Sequence, residues 1–249
     1  MQTGECRLCG KIRPLSVEHV PPEAAFNDAK VLFHRMRFNG PEVERFAEEK
    51  TTGNSLTVLC QRCNNTTGRI YGGEYVNFVK EVANHAYGRS HGERVQFVTM
   101  TYPLRIVKQT VTMLCATSGK LGPETAYIRS FVKDRLKEGL PDGYRLFAFV
   151  PEVRGLGRTT GVGAFLSLEE KRVVIYSETT WWPLGWILTL NDEEITRAVE
   201  VTGWAKYDFR TRRKIDVDLP VLSARGDYGA DFRTEAEIDR DRLKNLGVT

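Results

Sequence analysis

Hydrophobic spacing along this chain changes period several times, and each change marks an element. In GGEYVNFVKEVANHAYG (72 to 88), Tyr75, Phe78, Val79, Val82 and Ala86 recur three or four apart, which predicts an amphipathic helix. RVQFVTMTY (94 to 102) alternates with period two and predicts a strand. PLRIVKQTVTMLCAT (103 to 117) returns to helical spacing, with Pro103 at its start and Gly119 past its end. GPETAYIRSFVKDRLKEG (122 to 139) predicts a second helix with the same proline and glycine punctuation. YRLFAFVPEV, GVGAFLSLE, RVVIYSET and WILTL then follow as strands. Between the first two of these, GLGRTTGVG (155 to 163) reads as a glycine-rich turn. It has neither a P-loop lysine nor a dinucleotide spacing, so it carries no phosphate role.

Nearer the N-terminus the pattern is weaker. In SVEHVPP (16 to 22), Val17 and His19 alternate with Ser16 and Glu18, which predicts a strand ending at Pro21-Pro22. That alternation puts Glu18 and His19 on opposite faces unless the strand twists or bends. EAAFNDAKVLFHRMRFNG begins like a short helix, and GPEVERFAEEKTTG is charged and reads as exposed. The fold class expected is α+β, divided into residues 1 to 92 and a mixed α/β accessory domain over residues 93 to 249.

Composition narrows the class. The chain has 249 residues, 41% hydrophobic and 27% charged, which suits a soluble globular protein able to bury a core without cross-links. The formal net charge of +4 permits nucleic acid as a partner without demanding it. No run approaches the roughly 18 apolar residues of a membrane span. The start, MQTGECRLCGK, lacks a signal-peptide apolar run, so a cytoplasmic location is expected. In that reducing environment, paired cysteines hold metal more often than they form disulfides.

The chemistry begins with five cysteines. Cys6 and Cys9 form one C-x2-C unit, and Cys60 and Cys63 form another. Two such turns converge four thiolates on one tetrahedral Zn²⁺ and leave no open position, which marks a structural site. Cys115, at the end of a helix, reads as an ordinary buried cysteine. Of the four histidines, His85 reads as surface or cap and His91 lies in a turn. His19 differs in following a carboxylate, Glu18, between the two cysteine pairs.

This constellation, C-x2-C, then Glu-His, then N-x-L-x-x-L-C-x2-C-N-N, resembles the HNH endonuclease family over roughly residues 3 to 70. The resemblance implies a ββα-metal fold clipped by a structural zinc, around one catalytic divalent cation. It implies that His19 is the general base and that Glu18 and Asn64 hold the catalytic ion. It gives Asn54 the role of orienting the base. The family commonly has asparagine where Ser55 stands, so Ser55 shares that candidacy, as Asn65 does the ligand role. The ion implied is Mg²⁺, with Mn²⁺ or Ni²⁺ as softer candidates, and the substrate class is nucleic acid, DNA above all. Phage or host defence is among the settings in which such relatives serve. Two other classes fit the same residues: a catalytically inactive zinc-dependent nucleic-acid-binding module, and a structural or protein-interaction scaffold.

Several side chains add to this picture without deciding it. Arg69, and the cluster His34, Arg35 and Arg37, are candidates for phosphate contact or a solvated face. So is the basic run of Lys206, Arg210, Arg212, Arg213 and Lys214. Trp181, Trp182 and Trp186 suit a core or dimer surface better than a base-stacking platform. A homodimer through the C-terminal domain is compatible with these features, and no membrane partner is expected.

Overall fold

The computed structural model describes residues 2–39, 42–155, 157–167, 172–224 and 232–245. The first 60 residues make β1 (Thr3–Glu5), β2 (Ile12–His19), β3 (Val31–Asn39), β4 (Glu42–Lys50) and β5 (Ser55–Cys60). β1, β2 and β5 form a small antiparallel sheet in that order. β2 stops just before the prolines, which lack the N–H a ladder needs. β3 and β4 form a hairpin inserted between β2 and β5. The short helix expected after Pro22 is absent: residues 23 to 26 are turns, and 31 to 39 are extended. VLFHRMRF is rich in residues that favour an extended chain once a partner strand lies beside it, and β4 is that partner.

β5 runs straight into α1 (Gln61–Thr67), which continues through a π-helical turn (Gly68–Gly72) into α2 (Gly73–Ala86). The expected stripe of Tyr75, Phe78, Val79, Val82 and Ala86 is the buried face of α2. β6 (Arg94–Thr101) then leads to α3 (Pro103–Ser118) and α4 (Thr125–Lys133). The remainder is β7 (Arg145–Pro151), β8 (Gly157–Ser167), β9 (Arg172–Trp181), β10 (Leu184–Thr189), β11 (Val199–Glu200), β12 (Arg213–Leu222) and α5 (Glu235–Asn245). The architecture is mixed α+β.

The large sheet has the order β6-β12-β7-β10-β9-β8, with β11 also pairing with β7. Its pairs are antiparallel except a short parallel step where Val221 meets Val150 and Leu222 meets Pro151. β7 explains why its sequence is a continuous apolar run. Leu146, Ala148 and Val150 enter the main core, while Phe147 and Phe149 enter a second cluster with Ile187, Val174 and Phe232. A strand covered on both faces cannot alternate apolar with polar.

Two expected boundaries shift for identifiable reasons. The glycine-rich stretch is a turn only at its start, Gly155. Residues 157 to 163 belong to β8, which pairs with β9 through an irregularity between Thr160 and Gly163. At Gly157 a Cβ would lie 2.3 Å from the Trp181 ring, so this glycine admits a close approach within a strand. α4 ends at Lys133, six residues before Gly139. The buried ammonium of Lys108 on α3 takes the carbonyls of Phe131, Asp134 and Lys137, turning the chain around itself.

α3 is enclosed on nearly every side and packs against α2, α4, β5, β8 and β9. Its buried Thr110 and Thr112 return their hydroxyls to the carbonyls four residues back. Trp186 on β10 is fully buried and donates its indole N–H to the Tyr75 hydroxyl on α2, 3.1 Å away. Trp182 is buried as well, with its ring against Phe26 and Tyr87. These two tryptophans thus serve packing, while Trp181 is half-buried and donates to the Phe26 carbonyl. Cys115 is buried in α3, as its apolar surroundings suggested. Among the described residues, no helix is long and apolar enough to cross a membrane.

Candidate functional site

The two C-x2-C units meet. Cys6 and Cys9 lie in the turn between β1 and β2, Cys60 ends β5, and Cys63 stands in the first turn of α1. The four sulfurs all lie within 4.8 Å of one another, and Cys9 Sγ is 4.0 Å from Cys60 Sγ. Sulfurs arranged tetrahedrally at about 2.3 Å from one Zn²⁺ sit about 3.8 Å apart, so the donor set fits zinc in both chemistry and spacing. The Cys60 N–H donates to Cys6 Sγ at 3.2 Å. The neighbouring Cys63 thiol, and then backbone N–H groups including that of Cys60, hold the Cys6 thiol down at about 4. Cys6 and Cys60 are buried and Cys9 and Cys63 half-buried, and four thiolates leave no open position, which gives the quartet the character of a structural site.

α3 and α4 anchor this centre. Arg7, inside the first cysteine pair, donates to the carbonyls of Ala116 and Thr117 at the C-terminal end of α3. Those carbonyls have no partner within the helix, and a cation there also suits the helix dipole. Arg129 of α4 donates back to the Arg7 carbonyl at 2.9 Å.

β2 leads from this centre to the second group of candidates. Its register against β5 pairs Leu15 with Cys60, Glu18 with Leu56 and His19 with Ser55, and it shifts between Ser16 and Val17. Val17 is exposed, Glu18 is 6% exposed and His19 is half-buried. Burial alone raises the Glu18 carboxyl, to about 7. No described cation pairs with it. The His19 Nδ1 is buried and makes no hydrogen bond. The His19 nitrogen is thus left unpartnered in a protected position, where buried polar groups are normally satisfied, next to a largely buried carboxyl that no described cation pairs with. No third histidine, cysteine or carboxylate joins them in a ligand cluster among the described residues; the only such cluster there is the cysteine quartet.

Asn64 reaches β2 from α1. Its Nδ2 donates to the Val17 carbonyl at 2.7 Å and to Ser16 Oγ at 3.2 Å, which leaves its Oδ1 uncommitted. Asn65 is exposed. No family model, curated protein or solved structure matches this chain. The site therefore rests on its own geometry.

Asn54 lies at the opposite end of β5. It is buried, and its Nδ2 donates to the Val20 carbonyl at 2.8 Å, while its own carbonyl accepts the Val20 N–H. Its side chain thus holds the backbone just beyond His19, and Ser55 faces His19 only as a strand partner. A residue missed in the sequence completes this lock: the fully buried Asn27 bonds to both Pro21 and Asn54. The only local signal was an Asn-Asp pair in a loop, which indicates a turn and nothing more. Arg69 and the basic side chains Lys206, Arg210, Arg212, Arg213 and Lys214 are exposed. The side chains of His34, Arg35 and Arg37 lie outside the described residues.

Proposed function

We propose that this chain is a metal-dependent endonuclease hydrolysing phosphodiester bonds of DNA. One observation carries the proposal: among the described residues, the buried carboxyl of Glu18 has no counterion, and the buried Nδ1 of the adjacent His19 has no partner. A buried carboxyl in that state favours a bound cation, and a free imidazole nitrogen suits a water molecule. Both stand on β2, which pairs with β5 just ahead of α1, and that placement supports the reading.

The residues take these roles. Glu18 and the free Oδ1 of Asn64 would hold one hard divalent ion such as Mg²⁺, with Mn²⁺ or Ni²⁺ as substitutes. The ion, when bound, supplies charge stabilisation to the phosphate. His19 accepts a proton from the attacking water, a task suited to a neutral imidazole. Asn54 keeps the backbone beyond His19 in place. The cysteine quartet holds the structural zinc and takes no part in the reaction. Residues 1 to 92 carry the chemistry in this proposal, and residues 93 to 249 serve as the accessory unit.

The test is plasmid cleavage with Mg²⁺, Mn²⁺ or Ni²⁺, run for the native protein and for His19→Ala. Loss of the base should slow cleavage by about 10² to 10⁴ while zinc content and fold stay unchanged. Full metal-dependent cleavage by His19→Ala, or none by the native protein with any of the three ions, would refute the proposal.

A further inference from the structure

A cavity of about 300 Å³ opens beside the cysteine quartet, between it and the end of α4. Tyr71 and Val132 are among its apolar lining. Four cations surround it: Lys11 after the first cysteine pair, Arg13 on β2, Arg62 on α1, and Lys133 at the end of α4. Lys11, Arg62 and Lys133 are exposed, and Arg13 is half-buried. No residue lining this cavity is acidic. Among the described residues, none of the four forms an ion pair or hydrogen bond through its side chain. Arg129, in the adjoining opening of about 470 Å³, behaves differently: it faces Glu5 and donates to two carbonyls, and Asp134 shares that opening.

A simpler account is that these cations neutralise the metal centre. Four thiolates around Zn²⁺ leave roughly two negative charges. The rim exceeds that, and it gathers at one concave place as much positive charge as the formal excess of the whole chain, +4. We infer that this cleft binds the phosphate backbone of duplex DNA, with Lys11, Arg13, Arg62 and Lys133 contacting successive phosphates. The choice of DNA rests on the endonuclease proposal; the polyanion character rests on the charges alone. Position supports the link. Arg13 stands five residues before Glu18 on the same strand, about 17 Å along it. That is about five base steps of a duplex at about 3.4 Å each, so one DNA strand can span both places.

The test is fluorescence anisotropy with a DNA duplex of about 20 base pairs, at salt concentrations from about 50 to 200 mM and without added divalent ion. It compares the native, zinc-loaded protein with an Arg13→Gln/Arg62→Gln/Lys133→Gln variant. Each phosphate contact removed should lower the slope of log affinity against log salt by about 0.9, so the triple variant should lose about 2.7. Zinc content and melting temperature are measured in parallel. If the triple variant fails to fold, the single exposed changes Arg62→Gln and Lys133→Gln decide, each expected to lower the slope by about 0.9. An unchanged slope, or native protein without salt-sensitive binding, overturns the inference. A change in zinc affinity with no change in slope assigns the cations to the metal centre and overturns it too. The two proposals fail separately. Native protein that does not cleave, with a slope that still falls in the variants, removes the nuclease and keeps the cleft. Cleavage by native protein with a slope that does not fall does the reverse.

Discussion

The side chain of Asn27 faces the peptide of Asn54 as a neighbouring strand would. Its Oδ1 accepts the Asn54 N–H at 2.6 Å, and its Nδ2 donates to the Asn54 carbonyl at 3.0 Å. The same Nδ2 donates to the Pro21 carbonyl. One side chain thus ties the loop after β2 to the approach to β5, across a 20-residue hairpin. Gly53 allows the contact: its φ is +67°, and a Cβ there would lie 2.1 Å from the Asn27 carbonyl oxygen.

Removing that lock should be costly. Asn27→Ala would leave a buried N–H without its acceptor and withdraw a donor from two carbonyls, for a loss of about 2 to 4 kcal/mol. Because the lock lies beside the segment that follows His19, cleavage should fall as well. Denaturant melts of the variant check the first effect and plasmid assays the second; a melt superimposable on the native one would refute the structural role.

The cysteine quartet should contain one zinc per chain, measurable by elemental analysis of protein purified without chelator. Cys60→Ser removes both a ligand and the fourfold closure between the knuckles. Since structural zinc binding contributes on the order of 10 kcal/mol to folding, the variant should lose zinc and unfold or aggregate in its N-terminal region. Zinc retained at full stoichiometry would contradict this.

Glu18 should make stability depend on pH. Its folded value is raised by burial to about 7 from an ordinary 4.5. Between those values the folded protein keeps a proton that the unfolded chain releases. The stabilising contribution is therefore complete below 4.5 and lost as pH rises through 7, by about 3 kcal/mol on the usual conversion. Glu18→Gln should flatten that decline in buffer without added divalent ions. Added Mg²⁺ should also oppose the decline in the native protein, by favouring the carboxylate. Parallel pH-dependent melts of the two proteins make the comparison.

Lys108 should act in the opposite direction. Burial lowers its ammonium to about 7 from 10.5. Over that interval the unfolded chain binds the proton and the folded one releases it, so this group's contribution to stability rises with pH from 7 to 10.5. Lys108→Met should therefore lack that part of the rise. Guanidinium unfolding of both proteins at the two ends of the interval measures it, and identical slopes would show that the ammonium is held by its three carbonyls at an ordinary value.

Much of this protein was legible along the chain, because much of it depends on neighbours in sequence. The spacing of Cys6 to Cys9 and of Cys60 to Cys63 declares a metal site, since a two-residue gap alone turns both thiolates to one point. The α2 stripe follows from periodicity, and β7 was legible as a strand, though not that both its faces are covered. The β3–β4 hairpin, the strand character of residues 157 to 163 and the early end of α4 did not follow. Each depends on a partner distant in sequence: a paired strand, the Trp181 ring and the Lys108 ammonium. Asn27, the burial of Glu18 and the cationic cleft were hidden for the same reason. A polar residue reads as exposed until the fold removes water from around it, and charges from four elements become one surface only when those elements pack.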